Sequence, residues 1–189
     1  AIAISPALIM ALVGSLVFFL IEVLYVGQYE LRLNYVFGLF VFAGNLMDYD
    51  SNFQFVRHVL SMDTTFEGNA LMWRAIDSTA VHHIAYIGII VAEGLFAALA
   101  LIGGVKLYLR RNADAATFNS ARGWGFAAYG LGLLIWFVGF IVIGSEWFAM
   151  WQSSIWNGKD TAMGIATLWA GFAVLLALNE PVAAAGSKK

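Results

Sequence analysis

Residues 80–107 read AVHHIAYIGIIVAEGLFAALALIGGVKL, an apolar segment with one acid, Glu93, near its middle and no Lys or Arg before Lys106. A helix needs about 20 mostly apolar residues to cross a bilayer core, so this segment predicts a transmembrane helix. Four further apolar runs, separated by polar connectors, lie at about 6–27, 31–47, 123–145 and 161–178. The sequence therefore predicts an all-α polytopic transmembrane helical bundle.

The number of spans depends on the first two runs. Read as one helix, residues 6–47 would be about 63 Å long, twice what a membrane requires. Gly27 and the polar residues 28–30 interrupt the stretch, which favours a tight helical hairpin and five spans in all. With an N-terminal helix in the interface, or one bent helix, the count falls to four.

Composition limits the function classes. The chain is 61% hydrophobic and 12% charged, with a net charge of −2 and no cysteine. Soluble domains contain about 25% charged residues, so a membrane protein is indicated. The few Lys and Arg residues form no basic stripe that would neutralise phosphates, so nucleic acid is not an expected partner. Without cysteine, disulfides and thiolate chemistry are excluded.

The distribution of basic residues predicts orientation. The connector at 106–122 carries Lys106, Arg110, Arg111 and Arg122, and the C-terminus ends in two lysines. Basic connectors face the cytoplasm, which places the connectors at 48–79 and 146–160 on the extracytoplasmic side.

Glu93 is the sharpest candidate for a functional residue. An ionised carboxylate at mid-membrane costs at least about 2.5 kcal/mol, so it is expected to face the protein interior or to be protonated. At helical spacing, Tyr86 and His83 share its face and extend a polar stripe toward the outer surface. Such a stripe suits a proton path, a quinone pocket, or a metal or haem ligand. The structural alternative is a hydrogen bond to a neighbouring helix.

The three histidines, His58, His82 and His83, are weak candidates for metal ligands. Adjacent helical residues point about 100° apart, so His82 and His83 do not readily share one ion. Ordinary hydrogen bonds at the interface are the simpler interpretation, and haem ligation across helices remains open.

The outer connectors are rich in apolar and aromatic residues. About thirty residues at 48–79 are too apolar for disorder and are expected to fold onto the membrane surface or a partner. Glu146 is expected to pair with Arg57 or Arg74, and the tryptophans at 147–156 suit an interfacial aromatic belt. The candidate interaction residues are Asp48, Asn52, Phe53, His58, Asp63, Trp73, Arg74, Glu146 and Trp151.

Small residues form a stripe on the helix predicted at 121–145. Ala121, Gly125, Ala128, Gly132 and Gly139 lie four, three, four and seven residues apart. Small side chains let a second backbone approach closely, so internal helix packing is expected. No nucleotide loop, hydrolase elbow or metalloprotease motif is present, and no catalytic constellation is complete.

The segment DYDSNFQFVRHVLSMDTTF at 48–66, with WRAI at 73–76, EWFAMWQ at 146–152 and WNG at 156–158, resembles a bacterial family. That family comprises predicted small integral membrane proteins and is a domain of unknown function. The resemblance covers roughly residues 30–178 and implies a four-helix core in the bacterial inner membrane. Residues 1–29 are then an additional transmembrane or interfacial segment, 30–182 the family domain and 183–189 a flexible tail.

Three functional hypotheses follow. The first is a non-catalytic accessory or assembly subunit of a larger inner-membrane complex, such as a respiratory or photosynthetic one, with other integral membrane subunits as partners. The second is a redox protein linked to haem or quinone through Glu93, Tyr86 and His83. The third is a small proton- or cation-coupled transporter. No cofactor is firmly implied, and bound membrane lipid is expected.

Overall fold

The structure, a computed structural model, describes residues 30–177, with side chains from residue 34 onward, and this part of the chain is helical with no strand. Six α-helices follow one another: α1 (Glu30–Met47), α2 (Tyr49–Ser61), α3 (Thr79–Leu109), α4 (Ala115–Ser120), α5 (Gly123–Leu133) and α6 (Lys159–Ala177). A π-helix, Leu134–Trp147, continues α5 directly, and 3₁₀ turns lie at Met72–Arg74 and Met150–Gln152.

Three helical segments within residues 30–177 are long and apolar enough to cross a membrane: Thr79–Leu109, Ala115–Trp147 and Lys159–Ala177. The apolar part of α1, Asn34–Met47, is shorter. α1 nevertheless packs along α3, which makes a four-helix bundle and confirms the predicted fold class. The first predicted span, at 6–27, lies outside the described residues, and residues 30–32 of the predicted hairpin turn belong to α1.

Glycines opposite aromatic rings bring the helices together. A Cβ atom on Gly38 of α1 would lie 2.6 Å from the Phe96 ring of α3, and one on Gly94 of α3 would lie 3.0 Å from the Phe42 ring of α1. The two helices therefore interlock reciprocally. Small residues allow this close approach where lipid supplies no hydrophobic driving force between helices.

The stripe of small residues on α5 also faces the protein interior. Ala121, Gly125, Ala128 and Gly132 are buried, and a Cβ atom on Gly132 would lie 2.9 Å from Trp169 of α6. This confirms the internal packing expected from the sequence. The core beside the stripe is aromatic: Phe96 packs with ring centroids 5.5 Å from Trp136 and 5.1 Å from Trp169.

The connector between α1 and α3 covers one end of the bundle and is here called its roof. α2 buries Phe53 and Val56 in a cluster with Tyr86 and Ile90 of α3. Met62, the residue after α2, belongs to a second cluster with Met150. The apolar residues of 49–61 recur at helical spacing, and they pack onto the chain's own helices. The predicted contact of this connector with the membrane surface or a partner stays a prediction.

The π-helix that follows α5 is long for its type. π-helices are usually single turns inside α-helices and are frequent at functional sites. Here the wider winding places Leu134, Gly139 and Gly144, each five residues apart, along one wall of a cavity. The winding ends where the backbone N–H of Phe148 donates to the Ile143 oxygen at 3.0 Å.

Candidate functional site

Glu93 lies at the centre of a hydrogen-bonded group formed by α1 and α3. Its side chain is 3% exposed, and its Oε2 atom accepts a hydrogen bond of 2.6 Å from the Nδ2 atom of Asn45. The Oδ1 atom of Asn45 accepts one of 3.0 Å from the Tyr86 hydroxyl. Asn45 therefore joins the two residues that the sequence placed on one helical face.

Asn45 was missed by the sequence analysis. Its signal was present, because it is one of two asparagines in the apolar run at 31–47. A polar side chain in such a run needs a partner within the protein, but the sequence does not say which helix supplies it. The partner is 48 residues away in the chain.

His83, the third member of the predicted stripe, belongs to a neighbouring aromatic cluster. Its Nδ1 atom shares a hydrogen bond of 2.8 Å with the Tyr49 hydroxyl, and its ring stacks on Phe53 with centroids 4.1 Å apart. The Tyr49 ring in turn lies 4.7 Å from the Tyr86 ring. His83 is therefore linked to the Glu93 group through Tyr49 and Tyr86.

A cavity of about 460 Å³, here called the polar cavity, contains the Glu93 group. It lies between α1, α3, the π-helix and α6, with α2 above it. Its polar side chains are Asn45, Asn52, Tyr86, Glu93 and Thr161. Aromatic rings form much of the remaining wall, at Phe37, Phe40, Phe55, Trp136 and Phe140.

A second cavity of about 380 Å³, here called the apolar cavity, lies between α3 and the π-helix. Its walls are almost entirely aliphatic and aromatic. Gly88, Gly139 and Gly144 also line it and project no side chain into the space. Four side chains line both cavities: Phe55, Val56, Ile89 and Phe140. The polar and apolar spaces are therefore neighbours with a common wall.

The histidines do not converge. The His58 Nδ1 atom lies 2.8 Å from the Asp63 carboxylate, and the His58 ring stacks on Trp156 at 4.8 Å. The Nε2 atom of buried His82 donates to the Ile76 oxygen at 2.6 Å. In the part of the chain that the structure describes, no three His, Cys, Asp or Glu residues are grouped to hold a metal ion.

At the roofed end of the bundle, Arg74 lies between two tryptophans. Its guanidinium carbon is 5.2 Å from the Trp73 ring centre and 4.4 Å from that of Trp147. A guanidinium N–H of Arg74 also donates to the Trp147 backbone oxygen at 3.1 Å. Glu146 pairs instead with Lys159, at 3.0 Å. The expected ion pair of Glu146 with Arg57 or Arg74 is therefore wrong.

The remaining residues predicted in the outer connectors have structural contacts. The Asp48 oxygen accepts from the Asn52 amide at 3.2 Å at the start of α2. Trp151 meets Phe66 edge to face at 5.7 Å. The connectors also bind each other, since Thr64 donates to Ser153 at 2.8 Å and the Phe66 N–H to Gln152 at 3.1 Å. Both connectors therefore lie at the same end of the bundle, as the sequence predicted.

These features define a polytopic, all-helical integral membrane protein with a polar cavity between its helices. The model of a family described as predicted small integral membrane protein matches residues 33–179, most of the chain, and the protein belongs to that family. The match begins after the additional segment predicted at 1–29. Comparison with curated proteins found no match, and comparison with solved structures found none either.

Proposed function

We propose that this protein binds a small, amphipathic, membrane-soluble molecule between its helices. The polar head of the ligand lies in the polar cavity against Glu93, and its apolar part extends along the wall shared with the apolar cavity. The single observation that carries the proposal is a carboxylate, 3% exposed and hydrogen-bonded by Asn45, that lines a cavity of about 460 Å³.

A hydrogen bond whose only role is to hold two helices together does not require such a space. A polar residue that only joins two helices is enclosed by them, whereas Glu93 and Tyr86 both line a cavity large enough for a ring-sized head group. Ligand sites are typically concave and mostly apolar, with a few converging polar groups. The Glu93, Asn45 and Tyr86 group inside aromatic walls has this character.

The neighbouring apolar cavity supports an amphipathic ligand. Its volume of about 380 Å³ offers room for alkyl or isoprenoid groups, and its rim includes exposed Leu134 and Ile143, on the surface that faces lipid. Entry from the bilayer needs no aqueous channel. A ligand of this type therefore reaches the site by partition into the membrane.

The earlier redox hypothesis is retained only in its quinone form. A quinol head donates hydrogen bonds, which suits an acceptor such as Glu93. Support for haem is lacking because neither cavity is lined by a histidine, and the ring atoms of His82 and His83 bond to Ile76 and Tyr49. A transport role would require access to the polar cavity from both sides of the membrane.

Native mass spectrometry of the protein released from its own membranes tests the proposal. Wild type is expected to retain a small molecule of well under 1000 Da, in about one copy, because the site is enclosed on several sides. The Glu93→Gln variant should lose it, while Glu146→Gln, which removes an exposed carboxylate, should retain it. Wild type without any retained molecule, or equal retention in Glu93→Gln, would count against the proposal.

An accessory role in a larger membrane complex is a second candidate, favoured by the exposed apolar surface at the roofed end. Trp73 is 71% exposed and Ile155 is 73% exposed, although both lie in extramembrane connectors. Exposed apolar patches of this kind mark interfaces with proteins or membranes. Phe66 and Trp151, which meet edge to face in the same connectors, are exposed as well.

Native electrophoresis after mild extraction separates these interpretations. If the patch docks to partner subunits, the Trp73→Ser, Ile155→Ser double variant should migrate as a smaller species than wild type. Leu168→Ala, at a lipid-facing position of α6 that is 58% exposed, is the matched control. Identical migration of all three proteins would remove the docking role.

We also propose that the protein resides in the bacterial cytoplasmic membrane with its roofed end outside. The basic residues Lys106, Arg110, Arg111 and Arg122 all lie at or near the opposite end, which the positive-inside rule assigns to the cytoplasm. In this arrangement the family domain occupies residues 30–182, preceded by the additional segment.

A further inference from the structure

We infer that the ligand is a lipophilic organic cation whose positive charge is held by the Glu93 carboxylate inside the polar cavity. This inference rests on the proposed function and names the chemical class of the ligand. It follows from the charge of the cavity, the chemistry of its walls and the absence of a competing protein cation.

The charged group of the polar cavity is a carboxylate. Among the side chains that the structure describes around the polar cavity there is one carboxylate, Glu93, and no Lys, Arg or His. The hydrogen bond from Asn45 comes from a neutral amide and brings no counter-charge. An ionised side chain in a bilayer core pairs with an opposite charge, and a bound cation would supply that charge to the Glu93 carboxylate.

The walls of the polar cavity are rich in aromatic rings. Six aromatic residues line the polar cavity: Phe37, Phe40, Phe55, Tyr86, Trp136 and Phe140. The faces of such rings attract cations, most strongly when both are shielded from water, and aromatic cages are the usual means of holding quaternary ammonium groups. The aromatic rings and the Glu93 carboxylate together therefore favour a ligand whose positive charge is surrounded by apolar substituents.

The size and oxygen content of the cavity distinguish an organic cation from a metal ion. Calcium takes six to eight oxygen ligands, and magnesium requires a near-ideal octahedron. Glu93, Asn45 and Tyr86 are hydrogen-bonded to one another, and Asn52 and Thr161 supply the other side-chain oxygens at the wall of a cavity of about 460 Å³. A large organic cation, which sheds its weakly held water easily, matches this space.

Three probes of one shape and different charge test the inference. They are tetraphenylphosphonium, the neutral tetraphenylmethane and the anion tetraphenylborate. Full-length protein in nanodiscs of zwitterionic lipid is titrated with radiolabelled tetraphenylphosphonium in a scintillation proximity assay, with tetraphenylmethane as competitor. Radiolabelled tetraphenylborate is titrated in separate samples, because the two ions would pair with each other. Saturable binding of the cation is expected, with no saturable binding of the anion and no competition from the neutral probe.

Variants then assign the charge contact to Glu93. Glu93→Gln should weaken binding of the cation about thirtyfold or more, as expected when one member of a buried charge pair is removed. Glu146→Gln should leave binding unchanged, because that exposed carboxylate pairs with Lys159 outside the cavity.

A second pair of variants leaves Glu93 in place. It tests the inference independently, because Glu93→Gln could lose binding through misfolding alone. Thr161→Lys introduces an ammonium group at the rim of the polar cavity and should abolish cation binding. Asn157→Lys places the same charge at an exposed position that does not line the cavity and should have little effect.

Two outcomes overturn the inference. One is tetraphenylphosphonium binding that survives both Glu93→Gln and Thr161→Lys. The other is stronger, Glu93-dependent binding of a short-chain quinol, which would replace the cation by a neutral donor and leave the proposed ligand cavity standing. If wild type carried no small molecule in the native mass spectra, the proposed function itself would be contradicted.

Discussion

At the residue scale, Glu93 and Asn45 show how far sequence reasoning extends. The carboxylate was identified because it interrupts an apolar run, and Tyr86 because it shares a helical face. Asn45 was not, since a pairing across 48 residues depends on which helices become neighbours. Local chemistry is visible in a sequence, whereas the partner that satisfies it is a property of the packed bundle.

Replacing Asn45 tests that partnership. Asn45→Leu removes the donor to Glu93 and the acceptor for Tyr86, and it should lower the free energy of unfolding by about 1–3 kcal/mol, the cost of unsatisfied buried polar groups. Asn52→Leu, an exposed position whose amide bonds only to Asp48, is the control and should change it by less than about 0.5 kcal/mol. Unfolding by sodium dodecyl sulfate titration measures both, and equal effects would contradict the assigned role.

Asp114, at the start of α4 and outside the spanning helices, carries a prediction about pH. Its carboxylate accepts hydrogen bonds from the Thr117 N–H at 3.0 Å and the Thr117 hydroxyl at 2.8 Å, and these lower its pKa below the ordinary value of 3.8. The contribution to stability is therefore present above pH 3.8 and is lost as the pH falls through the folded-state pKa.

Amide hydrogen exchange of Thr117, corrected for intrinsic rates, should show protection that falls as the pH is lowered from 6 through the range below 4. In Asp114→Asn the side chain still accepts a hydrogen bond but no longer titrates. Protection in that variant should be independent of pH, and a wild-type profile without any acid loss would contradict the capping role.

At the element scale, the helices were predicted well and their winding and neighbours were not. The run at 123–145 is a helix, but hydropathy is the same whether each N–H bonds four or five residues back. The π-helix at Leu134–Trp147 therefore left no pattern that the analysis could use. Similarly, the residues of α2 were recognised as apolar and ordered, but the roof they form depends on surfaces contributed by α3 and by the 146–158 connector.

Two glycines of α5 provide a matched test of helix packing. Gly132→Ala places a methyl group 2.9 Å from Trp169 and 3.1 Å from Phe96, both parts of rigid rings, and should destabilise the protein by about 1–3 kcal/mol. Gly130→Ala meets nothing within 4 Å and should be neutral or stabilise by up to about 1 kcal/mol through helix propensity. Thermal unfolding in detergent compares them, and an equal shift for both would contradict the close contact of α5 and α6.

At the scale of the whole molecule, the bundle has two unlike ends. One is roofed by α2 and closed by contacts between connectors, and the other carries α4 and most of the basic residues. Charge distribution predicted this division before any contact was known, because the positive-inside rule depends on composition alone. The polar cavity could not be predicted in the same way, since its walls come from helices that are far apart in the sequence.

Single cysteines test the arrangement in a chain that has none of its own. Ser51→Cys and Ser154→Cys, both exposed at the roofed end, should react with a membrane-impermeant maleimide in intact cells. Asn112→Cys, exposed at the other end, should react only after the membrane is permeabilised. Ala100→Cys, fully buried, should not react in either case. Labelling of Asn112→Cys from the same side as Ser154→Cys would refute the bundle topology.

The cavity rims have a consequence for any measurement of affinity. Leu134 borders the apolar cavity and is 60% exposed, and Phe40 borders the polar cavity and is 64% exposed. The proposed entry of a ligand from the bilayer passes these side chains. A solute that enters there is drawn from a two-dimensional phase, so occupancy follows its mole fraction among lipids. Diluting the membranes with buffer then hardly changes occupancy for a strongly partitioning solute, whereas fusing them with empty vesicles lowers it.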